Sequence, residues 1–436
     1  MQGLPPDFPM EDLVERYRDP RGVRELHARA KAARYCAHPI LLRAAGSIDR
    51  RSTKITADDY TDRIARPCGS RISEYCEACS YLYFGDSLVM VRTGLIGGKG
   101  IPEAIGTHPK AFLTLTAPSY GPVHSGSGLC HPTGEGTCIH GVSRRCGIEH
   151  AWEDLIVGAP LCSECFDSVG LILFNAHISR LWDYTLIELR REISRIVGIK
   201  VRTGQSIVRL EYLRVFERQH RGALHAHVIL RLDGGRDLIE DPSLGIEELL
   251  RSIAGAIPRV KLAIQAGSEV VRIAWGSQID LQPIDQDSVN KVARYLAKYL
   301  SKDIGVNPSV LREDPVPDHL IRLYEVAGEM VRSSSYSRLI SQRWVDSLGF
   351  GGHIMAASRR FSVTRTTLAK IRRDFAVTAR ESRGETADAA FDSDKRYEYD
   401  GRGWASEGDA WLVAEERRNR EEARQEGKEV NREETE

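Results

Sequence analysis

The middle of the chain carries two clear hydrophobic patterns. Residues 111–118, AFLTLTAP, are rich in β-branched and aromatic side chains and are bounded by Pro118, which predicts a buried strand. In residues 169–197, apolar positions recur at helical spacing with charges between them, and Gly198 stops the pattern. This second segment is predicted to form a long amphipathic helix.

Two strand-like runs follow, separated by a short polar link. They are residues 206–217, SIVRLEYLRVFE, and residues 223–232, ALHAHVILRL. The link RQHRG ends in Gly222, which suits a β-hairpin. A weaker helical pattern lies near residues 245–265, and residues 269–284 are typical of a strand pair or a bent strand.

The series closes with residues 287–303, DSVNKVARYLAKYLSKD, which begin with an Asp/Ser cap and continue with helical periodicity. The order of elements is strand, helix, strand, strand, helix, strand, helix. We therefore predict an α+β fold in which helices back an antiparallel sheet.

Composition and charge bear on the solubility of the chain and on its partners. The chain has 436 residues, 42% of them apolar, and no apolar run long enough to cross a bilayer, so we expect a soluble, cytoplasmic protein without a membrane partner. The formal charge is zero overall, but residues 381–436 hold 18 acidic and 10 basic side chains, a charge of −8, so the rest of the chain is +8. A basic body with an acidic tail is common in nucleic-acid-binding proteins, and a solvated tail explains the charges nearly as well.

Nine cysteines without a secretory signal indicate reduced thiols, and their clustering favours metal over disulfides. One group ends in the knuckle CEAC, whose two-residue gap lets both sulfurs reach one tetrahedral ion, and a second group ends in the knuckle LCSEC. We expect two structural zinc ions, one in each group; the alternative is that these are buried thiols. The predicted ligands are Cys36, Cys68, Cys76 and Cys79 for the first zinc and Cys138, Cys146, Cys162 and Cys165 for the second, with Cys130 or His140 as an alternative ligand and His131 and His150 as spare ones.

Three side chains of the predicted hairpin have the chemistry of a catalytic metal site. His225 and His227 are two residues apart on one strand, so they project from the same face. Glu217 lies on the facing strand, where its carboxylate can supply a third ligand. Two imidazoles and a carboxylate leave positions open for water and a substrate oxygen, which suits Mg²⁺ or Mn²⁺ acting on a phosphate. The alternative is cross-strand packing of the histidines beside an exposed hairpin charge.

The last predicted helix presents two phenols in register. Tyr295 and Tyr299 share one face because positions four apart lie above one another, and a stripe of like charges beside them is better explained by an anionic partner than by stability. A tyrosine can attack a phosphodiester whose charge is neutralised by a metal and a nearby lysine. We therefore assign both tyrosines as nucleophiles and Lys298 as the group that assists the attacking or leaving oxygen; a plain amphipathic helix is the alternative. The DNA-binding cations are predicted to be Lys291, Arg294, Lys302 and Arg231.

These motifs resemble those of the HUH endonucleases, which have a strand similar to FLTLTAP, a His-hydrophobic-His strand similar to HAHVILR, and a tyrosine helix. The doubled form YLAKYLSK is similar to that of rolling-circle initiators with two active tyrosines. Residues 36–375 resemble the RepSA-type replication initiators of actinobacterial plasmids and integrative elements. The segments that carry this likeness are GLIGGKGIPEAIGTHPKAFLTLTAPSYGPVH, the five-cysteine insertion, ERQHRGALHAH, YLAKYLSK and LGFGGHIMAASRRFSVT.

The resemblance implies metal-dependent nicking and rejoining of single-stranded origin DNA through a 5′-phosphotyrosine, with priming from the 3′ end. No helicase motor is recognisable in the sequence, so a host helicase and a polymerase are expected partners. An HUH transposase or conjugative relaxase would use the same chemistry on other DNA ends. A zinc-stabilised DNA-binding regulator without enzymatic activity is the alternative from a different class.

The chain is expected to be organised around the nuclease. Residues 1–105 are assigned to an N-terminal zinc-binding region, and residues 106–310 to an HUH-type domain with a zinc-binding insertion at about 125–168. Residues 311–380 are assigned to a helical, DNA-binding segment, and residues 381–436 to an acidic disordered tail.

Overall fold

A computed structural model describes residues 20–44, 63–198, 208–235, 244–300, 304–306, 315–382 and 396–433, together with Arg18 and Pro242. Within these residues the strands are β1 (Ile40–Ala44), β2 (Arg63–Arg66), β3 (Lys110–Leu115), β4 (Val208–Arg218), β5 (Leu224–Gly234), β6 (Lys261–Ala266), β7 (Glu269–Ala274), β8 (Ile279–Pro283), β9 (Met355–Ala357) and β10 (Tyr397–Arg402). The helices are α1 (Pro20–Ala32), α2 (Glu77–Ile96), α3 (Ser168–Val197), α4 (Ile246–Ala256), α5 (Val289–Leu300), α6 (Asp318–Arg332), α7 (Arg365–Glu381) and α8 (Glu407–Glu433). None of these described helices has the length and apolar character needed to cross a membrane.

The chain divides into two compact units, and the first combines both ends of the sequence, Met1–Asp86 and Leu368–Glu436. Its sheet has the antiparallel order β10-β1-β2. Residues 381–436 are expected to be an acidic disordered tail, but the described residues 396–433 of this segment include β10 and α8. The physical reason is a short apolar run in this charged segment, because Leu412 and Val413 are buried against α1.

The second unit, Ser87–Thr367, is built on a five-stranded sheet with the order β8-β3-β5-β4-β9, in which every neighbouring pair is antiparallel. The Trp182 ring of α3 packs against Tyr212 on one face, and the Tyr295 ring of α5 packs against His227 on the other. The sheet therefore lies between these two helices. This arrangement confirms the predicted α+β class with an antiparallel sheet backed by helices.

Residues 245–265, whose pattern predicts a single helix, form a helix, a short turn and a strand. The helix α4 ends at Ala256, and a short 3-10 turn over Ile257–Arg259 contains Pro258, whose missing N–H cannot continue a helix. Residues 261–266 then alternate between exposed and buried positions and form β6, which pairs with β7. Residues 269–284, expected to form a strand pair or a bent strand, form the two separate strands β7 and β8, which belong to different sheets.

The turn between β4 and β5 is held by a buried amide on the long helix α3. Asn175 Nδ2 donates to the Gly222 carbonyl at 3.0 Å and to the Leu348 carbonyl at 3.1 Å, and Asn175 Oδ1 accepts from the Leu224 N–H at 2.9 Å. Gly222 has a φ of +88°, and a Cβ at this position would lie 2.7 Å from Leu323 Cδ1. The hairpin turn is therefore positioned both by its conformation and by α3.

We predict that Asn175→Ala lowers the free energy of unfolding by about 3 kcal/mol, because three buried backbone groups lose their hydrogen-bond partner. The matched control is Asn290→Ala, an exposed position on α5 that is expected to change stability by less than about 0.5 kcal/mol. Urea denaturation of both variants measures the difference. Equal effects of the two substitutions would contradict the role assigned to Asn175.

Candidate active site and zinc-ligand groups

The β4–β5 pair brings the three predicted metal ligands together at one end of the sheet. Its register places Glu217 opposite His225, and His227, two residues further along β5, projects from the same face. Glu217 Oε2 lies 2.9 Å from His225 Nε2 and 3.1 Å from His227 Nε2. The three ligand atoms all lie within 4.8 Å of one another, so they converge on a single point.

The environment of these side chains favours the protonation states that bind metal. Burial alone raises the pKa of Glu217, but hydrogen bonds from His225 and His227 outweigh it and bring that pKa to about 2. His227 is only 2% exposed, and burial lowers its pKa. An ionised carboxylate and a neutral imidazole are the forms that coordinate a cation, so the donor set fits a divalent ion with open positions.

Two side chains of β3 complete the surroundings of His227. Thr114 Oγ1 lies 3.2 Å from His227 Nδ1, so it can fix the ring with Nε2 directed at Glu217. The Phe112 ring stacks on His227 and meets Tyr295 edge-on, each at a centroid distance of 5.8 Å. Sequence reasoning missed both residues. The alternation in AFLTLTAP places them on one face, but only the pairing of β3 with β5 identifies that face as the one with the histidines.

The two tyrosines of α5 lie beside this cluster. Tyr295 is 40% exposed, and its hydroxyl lies 3.5 Å from His227 Nε2. The Tyr299 ring stacks on His227 at 5.2 Å and is 4.8 Å from the Tyr295 ring, and Lys298 is exposed on the same helix. Burial, followed by the hydrogen bond with Tyr299, raises the pKa of Tyr295 above its ordinary value, so its phenol stays protonated at neutral pH unless a cation or a base acts on it.

A cationic depression of about 580 Å³ lies along α5. Lys291 and Arg294 line it together with Asn290 and with Arg92 of α2, and all four residues are exposed. Within the described part of the chain, none of these three cations forms an ion pair. Sequence reasoning missed Arg92, which only the fold brings to α5. Lys302, the remaining cation predicted on this helix, lies outside the described residues.

Arg231 is corrected from a DNA-binding residue to a core residue. It is fully buried, and its Nε and Nη2 atoms each lie 2.7 Å from an oxygen of Asp233. It also donates to the backbone carbonyls of Gly94 and Phe361, and His108 Nδ1 lies 2.8 Å from Asp233 Oδ1. Arg231 lies on a part of β5 that Phe361 covers, so it cannot reach DNA. Asp233 neutralises its charge inside the protein.

The first predicted zinc group is brought together in the unit that contains both chain ends. The sulfur atoms of Cys36, Cys68, Cys76 and Cys79 all lie within 4.8 Å of one another. Cys36 Sγ and Cys76 Sγ are 3.7 Å apart, and the Cys68 N–H donates to Cys36 Sγ. Four converging sulfurs without a disulfide have the form of a closed zinc site.

The second predicted zinc group divides into two. The resulting sets are Cys138, His140, Cys162 and Cys165, and His124, Cys130, Cys146 and His150. Cys146 is therefore corrected from the first set to the second, and the spare ligand His131 instead contacts the Val123 carbonyl at 2.9 Å. Along the chain, pairs of ligands belong alternately to one set and to the other. Grouping the cysteines by their distance in sequence therefore assigns Cys146 to the wrong set. The described residues contain three Cys/His groups of four, where the sequence predicted two zinc sites.

Comparison with known proteins places the chain in a family. A family model for RepSA, described as "Replication initiator protein, pSAM2", matches residues 22–418. The chain therefore belongs to the RepSA family of replication initiator proteins, as its motifs predicted. A replication initiator protein from Streptomyces ambofaciens is 34% identical over 344 residues, covering 73% of this chain and 72% of the relative. No solved structure matches the chain.

We predict that Thr114→Val weakens Mn²⁺ binding about 10-fold, because His227 loses the hydrogen bond that orients it. Thr116→Val is the matched control, since the Thr116 hydroxyl donates to the Gln278 carbonyl and does not contact a histidine. Calorimetric titration of the zinc-loaded protein with Mn²⁺ measures both affinities. Wild-type affinity in Thr114→Val would contradict the orienting role.

Proposed function

We propose that the chain starts rolling-circle replication by nicking and rejoining single-stranded origin DNA, as a metal-dependent tyrosine transesterase of the HUH type. The observation that carries this proposal is the hydroxyl of Tyr295 at 3.5 Å from His227 Nε2, beside the converging ligand atoms of Glu217 and His225. Membership of a replication initiator family supports origin DNA as the substrate. The proposed nuclease domain is residues 106–310.

The proposed reaction is a transfer of a phosphodiester bond. The Tyr295 oxygen bonds to the phosphorus as the bond from phosphorus to the 3′ oxygen breaks; the phenol releases its proton and the 3′ oxygen takes one up. The products are a 5′-phosphotyrosine and a free 3′-hydroxyl. Attack of a 3′-hydroxyl on the phosphotyrosine reverses these bonds and closes the strand. Tyr299, whose ring is 4.8 Å away, supplies a second phenol while the first holds DNA.

The residues around Tyr295 have separate roles in this proposal. Glu217, His225 and His227 would hold Mg²⁺ or Mn²⁺, which when bound supplies positive charge at the phosphate. Thr114 orients His227, and Lys298 assists the attacking or leaving oxygen. Because the pKa of Tyr295 is raised, the free protein keeps this phenol protonated, and its reactivity depends on charge brought close to it.

The remaining groups would hold the DNA and the fold. Arg92, Lys291 and Arg294 are proposed to neutralise phosphates of the strand that leads to Tyr295. Two Cys/His groups are proposed to bind structural zinc, and their members are Cys36, Cys68, Cys76 and Cys79 in one and Cys138, His140, Cys162 and Cys165 in the other. Unwinding and synthesis are assigned to a host helicase and a host polymerase.

We predict that the Tyr295→Phe, Tyr299→Phe double variant loses cleavage of a single-stranded origin oligonucleotide by about 1,000-fold or more, because no nucleophile remains. Tyr184→Phe, at an exposed position on α3, is the matched control and should cut like wild type. Cleavage and protein trapped on the 5′ end are read on a denaturing gel with Mn²⁺. A double variant that still cuts would refute the assignment, and a wild-type protein that binds the origin without cutting would point to a non-enzymatic regulator.

We predict that Arg92→Ala, Lys291→Ala and Arg294→Ala each weaken DNA binding and reduce the slope of log affinity against log salt by about 0.7, the value for one contact to a single strand. Arg190→Ala is the control, because Arg190 is exposed on α3 and lies outside the depression. Fluorescence anisotropy at several salt concentrations gives the slopes. An unchanged slope in all three variants would show that the depression does not bind phosphate.

A further inference from the structure

The insertion between β3 and α3 contains a group of two cysteines and two histidines with the spacing of a tetrahedral site. His124 Nδ1 lies 3.2 Å from His150 Nε2. Cys130 Sγ lies 3.7 Å from His124 Nδ1, and Cys146 Sγ lies 3.3 Å from His150 Nε2. Around zinc, bond lengths of about 2.0 Å to nitrogen and 2.3 Å to sulfur separate neighbouring ligands in a tetrahedron by about 3.3 Å for two nitrogens and about 3.5 Å for nitrogen and sulfur. The observed spacings match these values.

The surroundings of the group also favour a metal over simple packing. Cys130 is fully buried, His150 is nearly so, and the Ser125 N–H lies 3.5 Å from Cys130 Sγ. A hydrogen bond between the two imidazoles would explain one contact, but it gives no reason for both sulfurs to converge on the rings. With this group, all nine cysteines of the chain fall into three sets of four ligands.

We propose that His124, Cys130, Cys146 and His150 bind a third zinc ion, and that this ion supports the turn of the β4–β5 hairpin. The link is a backbone pairing next to a ligand. The His124 N–H donates to the Ala159 carbonyl at 2.8 Å, and the Gly158 N–H donates to the His124 carbonyl at 2.9 Å. A zinc ion that fixes His124 therefore also fixes the segment around Gly158.

That segment packs directly on the hairpin turn. Gly158 has a φ of +88°, and a Cβ there would lie 2.3 Å from the carbonyl carbon of His220, so the two backbones are in close contact. The Trp152 ring, from the same insertion, lies 5.8 Å from the His220 ring. Arg221, the next residue of the turn, donates to the carbonyls of Ala117 and Pro118. The turn is thus held by the insertion and by Ala117 and Pro118, which follow β3.

The turn connects two of the proposed catalytic metal ligands. It lies between Glu217 and His225, and the Gln219 N–H closes it by donating to the Ala223 carbonyl at 2.9 Å. Zinc in the insertion would therefore limit opening of the hairpin at the end where these ligands face each other. Its benefit for DNA cleavage rests on the proposed function, whereas the zinc ion and its effect on the turn do not.

The metal content of the full-length protein tests the site. We expect three zinc ions per chain by native mass spectrometry and elemental analysis, and two in the Cys130→Ala, Cys146→Ala variant. Zinc X-ray absorption of the wild-type protein gives an independent reading that needs no variant. Three sites contain nine sulfur and three nitrogen ligands in total, whereas the Cys36 and Cys138 sets alone would contain seven sulfurs and one nitrogen. Two zinc ions in the wild type, or that higher ratio of sulfur to nitrogen, would overturn the third site.

Hydrogen exchange of the turn tests the coupling. In the Cys130→Ala, Cys146→Ala variant, the amides of residues 219–223 should exchange about 10-fold faster than in wild type, because the support under the turn is lost. The matched control is Cys68→Ala, Cys79→Ala, which removes ligands of the zinc group in the other unit and should leave the turn unchanged. Unchanged exchange in the first variant, or equal acceleration in both, would overturn the coupling. Neither readout involves DNA cleavage, so failure of the proposed nuclease function would be seen separately.

Discussion

The antiparallel pairing of β4 with β5 is the interaction on which the candidate active site depends. Its register sets Glu217 opposite His225, and a slip of one residue would turn both histidines of β5 to the other face of the sheet, towards α3. Gly222 and the Asn175 amide hold the turn, and β3 pairs along the other edge of β5. The proposed metal ligands therefore lie on regular strands whose positions are fixed from several sides, which is how a site keeps its geometry without substrate.

The helix α5 places the two proposed nucleophiles, Tyr295 and Tyr299, next to these strands. Its small and apolar residues face the protein, which turns Tyr295 and Tyr299 towards His227. The Tyr295 phenol lies partly buried next to Phe112, and this burial makes its ionisation unfavourable in the free protein. If Tyr295 is the nucleophile, its phenol becomes reactive only when positive charge and a phosphate are both close to it. The same helix carries Lys291 and Arg294 of the cationic depression, which is proposed to bind the DNA strand.

Features encoded by local periodicity could be predicted from the sequence. The alternation in β4 and β5 with Gly222 between them predicts the hairpin and the face of His225 and His227, and the spacing in α5 predicts the shared side of the two tyrosines. Features that depend on distant segments could not be predicted. Thr114 lies next to His227 only because β3 pairs with β5, and Arg92 lines the depression only because of how the helices pack. Arg231 resembles a free cation in the sequence, but the fold encloses it between Asp233 and Phe361. The three four-ligand groups follow the same rule, because alternating ligand pairs are sorted by the fold of the insertion and not by distance along the chain.

The proposed function requires that one divalent cation binds between the β4–β5 hairpin and the tyrosine helix. Anomalous scattering at the manganese edge from crystals grown with Mn²⁺ tests this most directly, because it locates the ion without assuming its ligands. We predict a manganese peak within coordination distance of Glu217 Oε2 and of the Nε2 atoms of His225 and His227, next to the Tyr295 hydroxyl. A fully loaded crystal with no manganese at these three atoms, or with manganese bound elsewhere and away from both tyrosines, would contradict it.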